Sequence, residues 1–207
     1  MPPRKPRILV YGGSFDPPHR GHATLLYSAM AYAWPERAYV VPAFQHVLKG
    51  GHYSDVHDRL AMLTLTFNVE SAFKVVISDI EAQANRPMYT WEVLDHFSAL
   101  HPGHEVRFLL GDDCLVDFSK WARAEYLASR YTFMVGPRSG RPPLATGLPK
   151  LEIVPIRNPD AISSTDVRVA LMDWKSVEGM VNPMVQAYIR EHSLYGKTER
   201  VVEGSTK

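Results

Sequence analysis

Short, nearly unbroken apolar runs recur along the chain at Arg7–Tyr11, Ala38–Pro42, Phe73–Ser78, Val106–Gly111, Tyr131–Val135 and Leu151–Pro155. Runs of this length and β-branched character predict strands, and the absence of strict alternation predicts burial on both faces. Between most of them the apolar residues recur at helical spacing, over Gly21–Ala33, His57–Phe67, Thr90–Leu100 and Lys120–Ser129. In the first of these, Leu25, Leu26, Ala29, Met30 and Ala33 form one stripe that Trp34-Pro35 brings to a stop. Further helical patterns begin at Ser164 and Pro183.

Strands alternating with helices predict an α/β fold. We expect a Rossmann-like, doubly wound, mostly parallel sheet with helices on both faces and a C-terminal helical segment. No repeat, low-complexity block or linker interrupts the pattern, and the Gly/Pro-rich stretch 136–150 is short enough to be one loop. The expectation is a single domain over residues 1–207, with 1–6 and 197–207 as flexible tails. With 207 residues, 45% of them hydrophobic, the chain can bury a full core. A formal net charge of +1 without a basic block argues against nucleic acid as a partner. No apolar run is long enough to span a bilayer, and the single cysteine, Cys114, fits a reducing cytoplasm and is expected to be a packed thiol.

The candidate chemistry gathers after the strands. Residues 12–22 read Gly-Gly-Ser-Phe-Asp-Pro-Pro-His-Arg-Gly-His, directly between the first strand and the first helix. Glycines there let a ligand approach the backbone closely, and the helix start aims N–H groups and the positive dipole end at the same place. His19 and His22, three apart, share a face at the first turn. The segment lacks the Lys-Ser/Thr pair of a P-loop and the three-glycine dinucleotide fingerprint. No carboxylate or cysteine completes a metal site at ligand spacing, and a bland Gly/Pro turn leaves the agreement of strand, glycines, histidines and helix unexplained. The reading is a phosphate site with two imidazoles built into it. Further polar clusters follow other strands: Gln45–Lys49, Asp112 and Asp113, and Ser163–Arg168. In open α/β sheets such a rim, beyond the carboxyl ends of the strands, is where ligands bind. The last cluster, Ile162-Ser163-Ser164-Thr165-Asp166-Val167-Arg168, has the grammar of a capped helix start, with Arg168 one turn in as a candidate anion clamp.

Both motifs in this order resemble the nucleotidyltransferase family with the His-x-Gly-His signature, and within it the nicotinate or nicotinamide mononucleotide adenylyltransferases. Arg59-Leu60-Ala61-Met62-Leu63, Leu110-Gly111-Asp112-Asp113, Lys120-Trp121 and Tyr188-Ile189 through Leu194-Tyr195 continue the resemblance almost to the end of the chain. It implies attack of a mononucleotide 5′-phosphate on the α-phosphorus of ATP, with pyrophosphate leaving. NAD or its deamido form would be the product. A phosphate monoester is already anionic at neutral pH, so positioning and charge stabilisation suffice without a general base. The resemblance makes His19, His22 and Arg168 catalytic. It assigns Gly12, Gly13, Ser14, Phe15, Gly111, Asp113, Ser163, Ser164 and Thr165 to ATP and its phosphates. Lys49, Thr90, Trp91 and Trp121 fall to the mononucleotide. Mg²⁺ would act through phosphate oxygens and water, with no direct protein ligand. Asp16 would orient the glycine loop or approach the metal.

The chain departs from the bacterial pattern at Val93, where a threonine is usual, and at Gln45-His46-Val47-Leu48-Lys49. Nicotinic acid mononucleotide is the expected acceptor, with measurable use of the nicotinamide form. The alternatives are the nicotinamide form as main acceptor, another phospho-acceptor such as phosphocholine or phosphopantetheine, or a nucleotide-sensing protein without activity. A homo-oligomer is compatible with each.

Overall fold

The computed structural model describes residues 5–45, 53–67, 74–137, 148–156 and 160–196. Its strands are β1 (Arg7–Gly13), β2 (Arg37–Pro42), β3 (Val75–Ile77), β4 (Glu105–Gly111), β5 (Thr132–Gly136) and β6 (Leu151–Ile153). They form one sheet in the order β3-β2-β1-β4-β5-β6, every neighbouring pair parallel. The chain builds outward from β1 to β3, then crosses back to lay β4 on the other side of β1. The order therefore reverses between β1 and β4. There β1 stays in register with β2 as far as Gly13↔Pro42, while its pairing with β4 ends at Tyr11↔Leu109. A crevice opens past Tyr11, at the carboxyl ends of the strands.

Side chains alternate across this sheet, and two core clusters cover its faces. On one face Ile8, Val10, Phe108, Leu110 and Phe133 pack under α4 (Thr90–Leu100), which contributes Val93, Leu94 and Phe97. On the other, Leu9, Tyr11, Leu109 and Met134 meet Leu25, Leu26, Ala29 and Met30 of α1 (Arg20–Ala33) and Leu63 and Phe67 of α2 (Val56–Phe67). A third cluster docks the C-terminal helices, α6 (Ser164–Met172) and α7 (Pro183–Glu191), onto Met62 of α2 through Val167, Val185 and Ile189. The doubly wound sheet and its C-terminal helical segment are those the periodicity predicts.

Four local departures have physical causes. β1 runs on through Gly12-Gly13, so the glycines end the strand rather than follow it. A five-residue helix, α3 (Ile80–Ala84), stops at Asn85 in the left-handed region and is too short to carry a readable period. The helix expected over Lys120–Ser129 is broken. A 3-10 turn (Phe118–Lys120) leads into extended backbone at Trp121 and left-handed backbone at Arg123, and α5 begins at Ala124 (Ala124–Arg130). That break lets the Trp121 ring pack on Phe108, Phe118 and Phe133. Cys114 is exposed rather than packed, because the 3-10 turn Asp112–Leu115 points Leu115 inward instead.

Candidate active site

The carboxyl end of β1 explains its glycines. A Cβ on Gly12 would come within 3.0 Å of the Phe108 ring, and one on Gly13 within 3.0 Å of the Phe15 ring. Phe15 then takes φ of +51° and folds its ring into the core, edge-on to Tyr11 and to His22 at 5.1 and 4.9 Å. His19 is the N-cap of α1 and His22 its third residue. The backbone N–H of His19 donates to Nδ1 of His22 at 3.1 Å, and the two rings meet face to face but tilted by 30°, with centroids 3.6 Å apart. An Nδ1 that accepts fixes the neutral tautomer with its proton on Nε2, so His22 is a hydrogen-bond donor at that end. The shared face read from the spacing is thus a pair of rings in contact, and both members are buried.

His22 also borders a small recess with Tyr11, Thr24, Gly136, Ile156 and Asp160. Asp160 accepts from Arg20 Nε at 3.0 Å and Thr24 Oγ1 at 2.8 Å. Burial works to raise the pKa of this carboxyl, but those hydrogen bonds and the Arg20 charge hold it below its ordinary value.

The second motif reaches the same loop from the far end of the chain. Ser163 caps α6, accepting from the Asp166 N–H at 3.1 Å, and Asp166 Oδ2 accepts from the Ser163 N–H at 2.9 Å, a capping box. Ser164 Oγ donates to the Pro17 carbonyl at 2.9 Å. Arg168 Nη1 donates to the Asp16 carbonyl at 2.6 Å, and Nη2 to Thr165 Oγ1 at 3.1 Å. The starts of α1 and α6 are stitched side by side, bringing two helix N-termini, two imidazoles and a guanidinium to one place. An assembly of donors like this suits a polyphosphate.

Beside it, at the switch point, lies a cavity of about 470 Å³. Gly12, Gly13 and Ser14 form one wall, and Thr90, Val93, Asp113 and Trp121 line others. Trp91 is not among the lining residues; it packs against the core, and the Arg123 guanidinium lies 4.0 Å over its ring. Lys49 lies outside the described residues. Gly111 ends β4 paired with Gly136 and does not line the cavity. The Asp16 carboxylate accepts from the Tyr53 N–H, the Ser54 hydroxyl and the Tyr195 hydroxyl, each at 2.7 Å.

Two buried charges shape this cavity without being evident as site residues in the sequence. Arg59 of α2, 1% exposed, donates to the carbonyls of Ser14 (3.0 Å), Ala43 (2.6 Å) and Phe44 (3.0 Å). Glu81 of α3 accepts the N–H groups of Phe44 (2.8 Å) and Met88 (3.2 Å) through one oxygen. Together they hold the turn after β2 against the segment before α4. Burial pushes the Glu81 carboxyl above its ordinary range against those hydrogen bonds and the Arg59 charge. For Arg59 a signal existed, because it stands three and four residues before Met62 and Leu63 in the apolar stripe of its helix. For Glu81 there was none.

A cytidylyltransferase-like family profile matches residues 10–170. The protein named "Probable nicotinate-nucleotide adenylyltransferase" in Endomicrobium trichonymphae is 32% identical, covering 91% of this chain and 98% of that relative. The one so named in Anaeromyxobacter sp. strain K is also 32% identical, over 91% and 96%. Among solved structures, Plasmodium falciparum nicotinic acid mononucleotide adenylyltransferase complexed with NaAD superposes with a TM-score of 0.80 at 25% identity. It covers 92% of this chain and 97% of its own.

Proposed function

The chain belongs to the cytidylyltransferase-like family, and from that premise we propose that it is a nicotinate-nucleotide adenylyltransferase of NAD biosynthesis. It transfers AMP from ATP to nicotinic acid mononucleotide, giving the deamido dinucleotide and pyrophosphate. The observation that carries this reading is the convergence of the His19/His22 ring pair and Arg168 on the single loop 14–17.

In this reaction a 5′-phosphate oxygen forms the new bond to the α-phosphorus while the bond to the bridging oxygen of the pyrophosphate breaks. Both partners are anionic, so the protein's task is alignment and neutralisation of charge. His22, protonated at Nε2, and His19 supply donors over the triphosphate. Arg168 and the N–H groups of the Ser164/Thr165 helix start take the departing pyrophosphate. Gly12, Gly13 and Ser14 give the backbone that the nucleotide lies against, with Phe15 packed beneath it and Gly111 ending the strand that leads to Asp113. Asp113 lines the cavity, which supports the reading that it accepts from ribose hydroxyls. Trp121 offers an indole face to the pyridine ring, Thr90 and the N-terminus of α4 face its carboxylate, and Lys49 is assigned to the acceptor phosphate.

Nucleotidyltransferases of this kind use a divalent metal, which we take to be Mg²⁺. We take this cation to be carried by the triphosphate and water. Such a cation supplies charge neutralisation on the phosphates. Among the described residues no helix is long and apolar enough to cross a membrane. The reading includes a cytoplasmic enzyme of one domain that acts without nucleic acid.

The test is pyrophosphate release from ATP with nicotinic acid mononucleotide, nicotinamide mononucleotide, phosphocholine and phosphopantetheine in parallel. The expected order of kcat/KM is the acid first, the amide second, and the others at background. Release with none of the four, despite ATP binding, would favour a nucleotide sensor.

A further inference from the structure

Tyr195 lies 179 residues after Asp16 and beyond the last helix, yet its hydroxyl reaches the loop that carries the first phosphate motif. We propose that Tyr195 is a positioning residue for Arg168, acting through Asp16. The inference rests on the adenylyltransferase reading above and adds to it a latch between the C-terminal segment and the pyrophosphate clamp.

The geometry runs in one direction. Asp16 is 3% exposed, and among the described residues its carboxylate accepts from Tyr53, Ser54 and Tyr195, all distant in sequence. The Tyr53 N–H donates to Oδ2, and the Ser54 and Tyr195 hydroxyls both lie 2.7 Å from Oδ1. The two hydroxyl oxygens are themselves 2.9 Å apart. Each hydroxyl has one proton, so three short contacts share two protons, and the triangle closes on the carboxylate. Burial, and then the Asp16 charge, push the Tyr195 phenol well above its ordinary value, so it stays a donor. These three partners anchor Asp16 through its side chain, and its carbonyl oxygen accepts from Arg168 Nη1 at 2.6 Å. Thr165 takes Nη2 at 3.1 Å and the Tyr53 ring lies under the guanidinium at 4.4 Å. The planar fork is thereby fixed in orientation before any phosphate arrives, which is how preorganised donors gain their advantage. Tyr53 and Ser54 belong to the same clasp, one through its ring and backbone, the other through its hydroxyl.

A side chain that only filled the C-terminal core would act through its ring. Tyr195→Phe keeps the ring and removes the hydroxyl. The measurements are calorimetric affinities of wild type, Tyr195→Phe, Arg168→Ala and the double variant for ATP alone and for nicotinic acid mononucleotide alone. Tyr195→Phe is expected to weaken ATP binding roughly tenfold, the scale of a hydrogen bond near a charged group, and to leave mononucleotide binding within about twofold. In the Arg168→Ala background the same change should have no further effect on ATP, because its route of action is gone. Equal loss for both ligands, or an undiminished loss of ATP affinity without Arg168, would overturn the proposal. Should Tyr195→Phe fail to fold, Ser54→Ala removes the other hydroxyl of the triangle and must show the same ATP-selective loss. Failure of the wild type to bind ATP at all would instead sink the adenylyltransferase reading. Use of a different acceptor would leave the ATP affinities, and what they say of Tyr195, unchanged.

Discussion

His22 accepts a hydrogen bond on one ring nitrogen and so carries its proton on the other; this single contact turns a spacing in the sequence into a defined donor. Replacing His22 by Ala should lower kcat about 10²–10³-fold, the loss typical of one charge-stabilising donor. It should also cost a few degrees of Tm, since the ring belongs to the capping box of α1 and is buried. Near-normal turnover would remove the assignment. Arg168→Lys should damage both ATP affinity and turnover while mononucleotide affinity is kept, because an ammonium cannot span the Asp16 carbonyl and Thr165 as the planar fork does. A rise confined to the mononucleotide KM would place Arg168 on the wrong substrate. The tryptophans separate in the same way. Trp121→Ala should weaken the mononucleotide by about 1–3 kcal/mol, the worth of one stacked base. Trp91→Ala should change it much less, since its ring faces Arg123 and not the cavity. Equal effects of the two substitutions in steady-state kinetics would contradict that division.

At the start of α6 a structural role and the proposed chemical one separate by residue. Ser163 caps the helix, whereas Ser164 ties it to Pro17 and Arg168 projects one turn in. Ser163→Ala should therefore cost about 0.5–2 kcal/mol of stability, visible as a Tm lowered by roughly 2–4 °C per kcal/mol. ATP affinity should suffer less than in Arg168→Lys, because Val167 stays buried and keeps the helix docked. Loss of ATP binding without loss of Tm would mean that the Ser163 hydroxyl itself holds phosphate. The broken segment after β4 shows tertiary contacts overriding a local pattern. Its apolar spacing reads as a continuous helix, but the contacts of Trp121 with Phe108, Phe118 and Phe133 outweigh local helix propensity and pull the backbone straight.

Across the whole molecule, one histidine remote from the site contributes to acid sensitivity. His101, at the end of α4, bonds Tyr39 Oη at 2.8 Å. Burial first, then the charges of His104 and Arg37, hold its pKa below the ordinary 6.5, with Glu36 opposing. The folded state thus binds this proton more weakly than the unfolded chain. The stability this contributes is complete above about 6.5 and is lost as pH falls through that value toward the lower folded-state pKa. Melting curves at pH 7.5 and 5.5 should show a smaller acid-side fall in Tm for His101→Phe than for the wild type. An identical fall would clear His101 of the effect.

Much of this architecture is written locally. Strand runs, helical stripes, the glycines of β1 and the capping grammar of α6 act over a few residues, where steric and hydrogen-bonding rules leave little choice. From those alone follow the parallel α/β class, the switch-point rim, and both candidate phosphate motifs with His19, His22 and Arg168 in them. What tertiary structure decided depends on which distant groups come to share a space. Arg168 rests on the carbonyl of Asp16, 152 residues earlier, and Tyr195 closes the same clasp from the other end of the chain. Arg59 and Glu81 hold the turn after β2, Trp121 enters the cavity, and Trp91 stays out. A residue's type limits the bonds it can make, but burial forces buried polar groups to find partners, and the partner is whichever group the packed sheet and helices bring within reach.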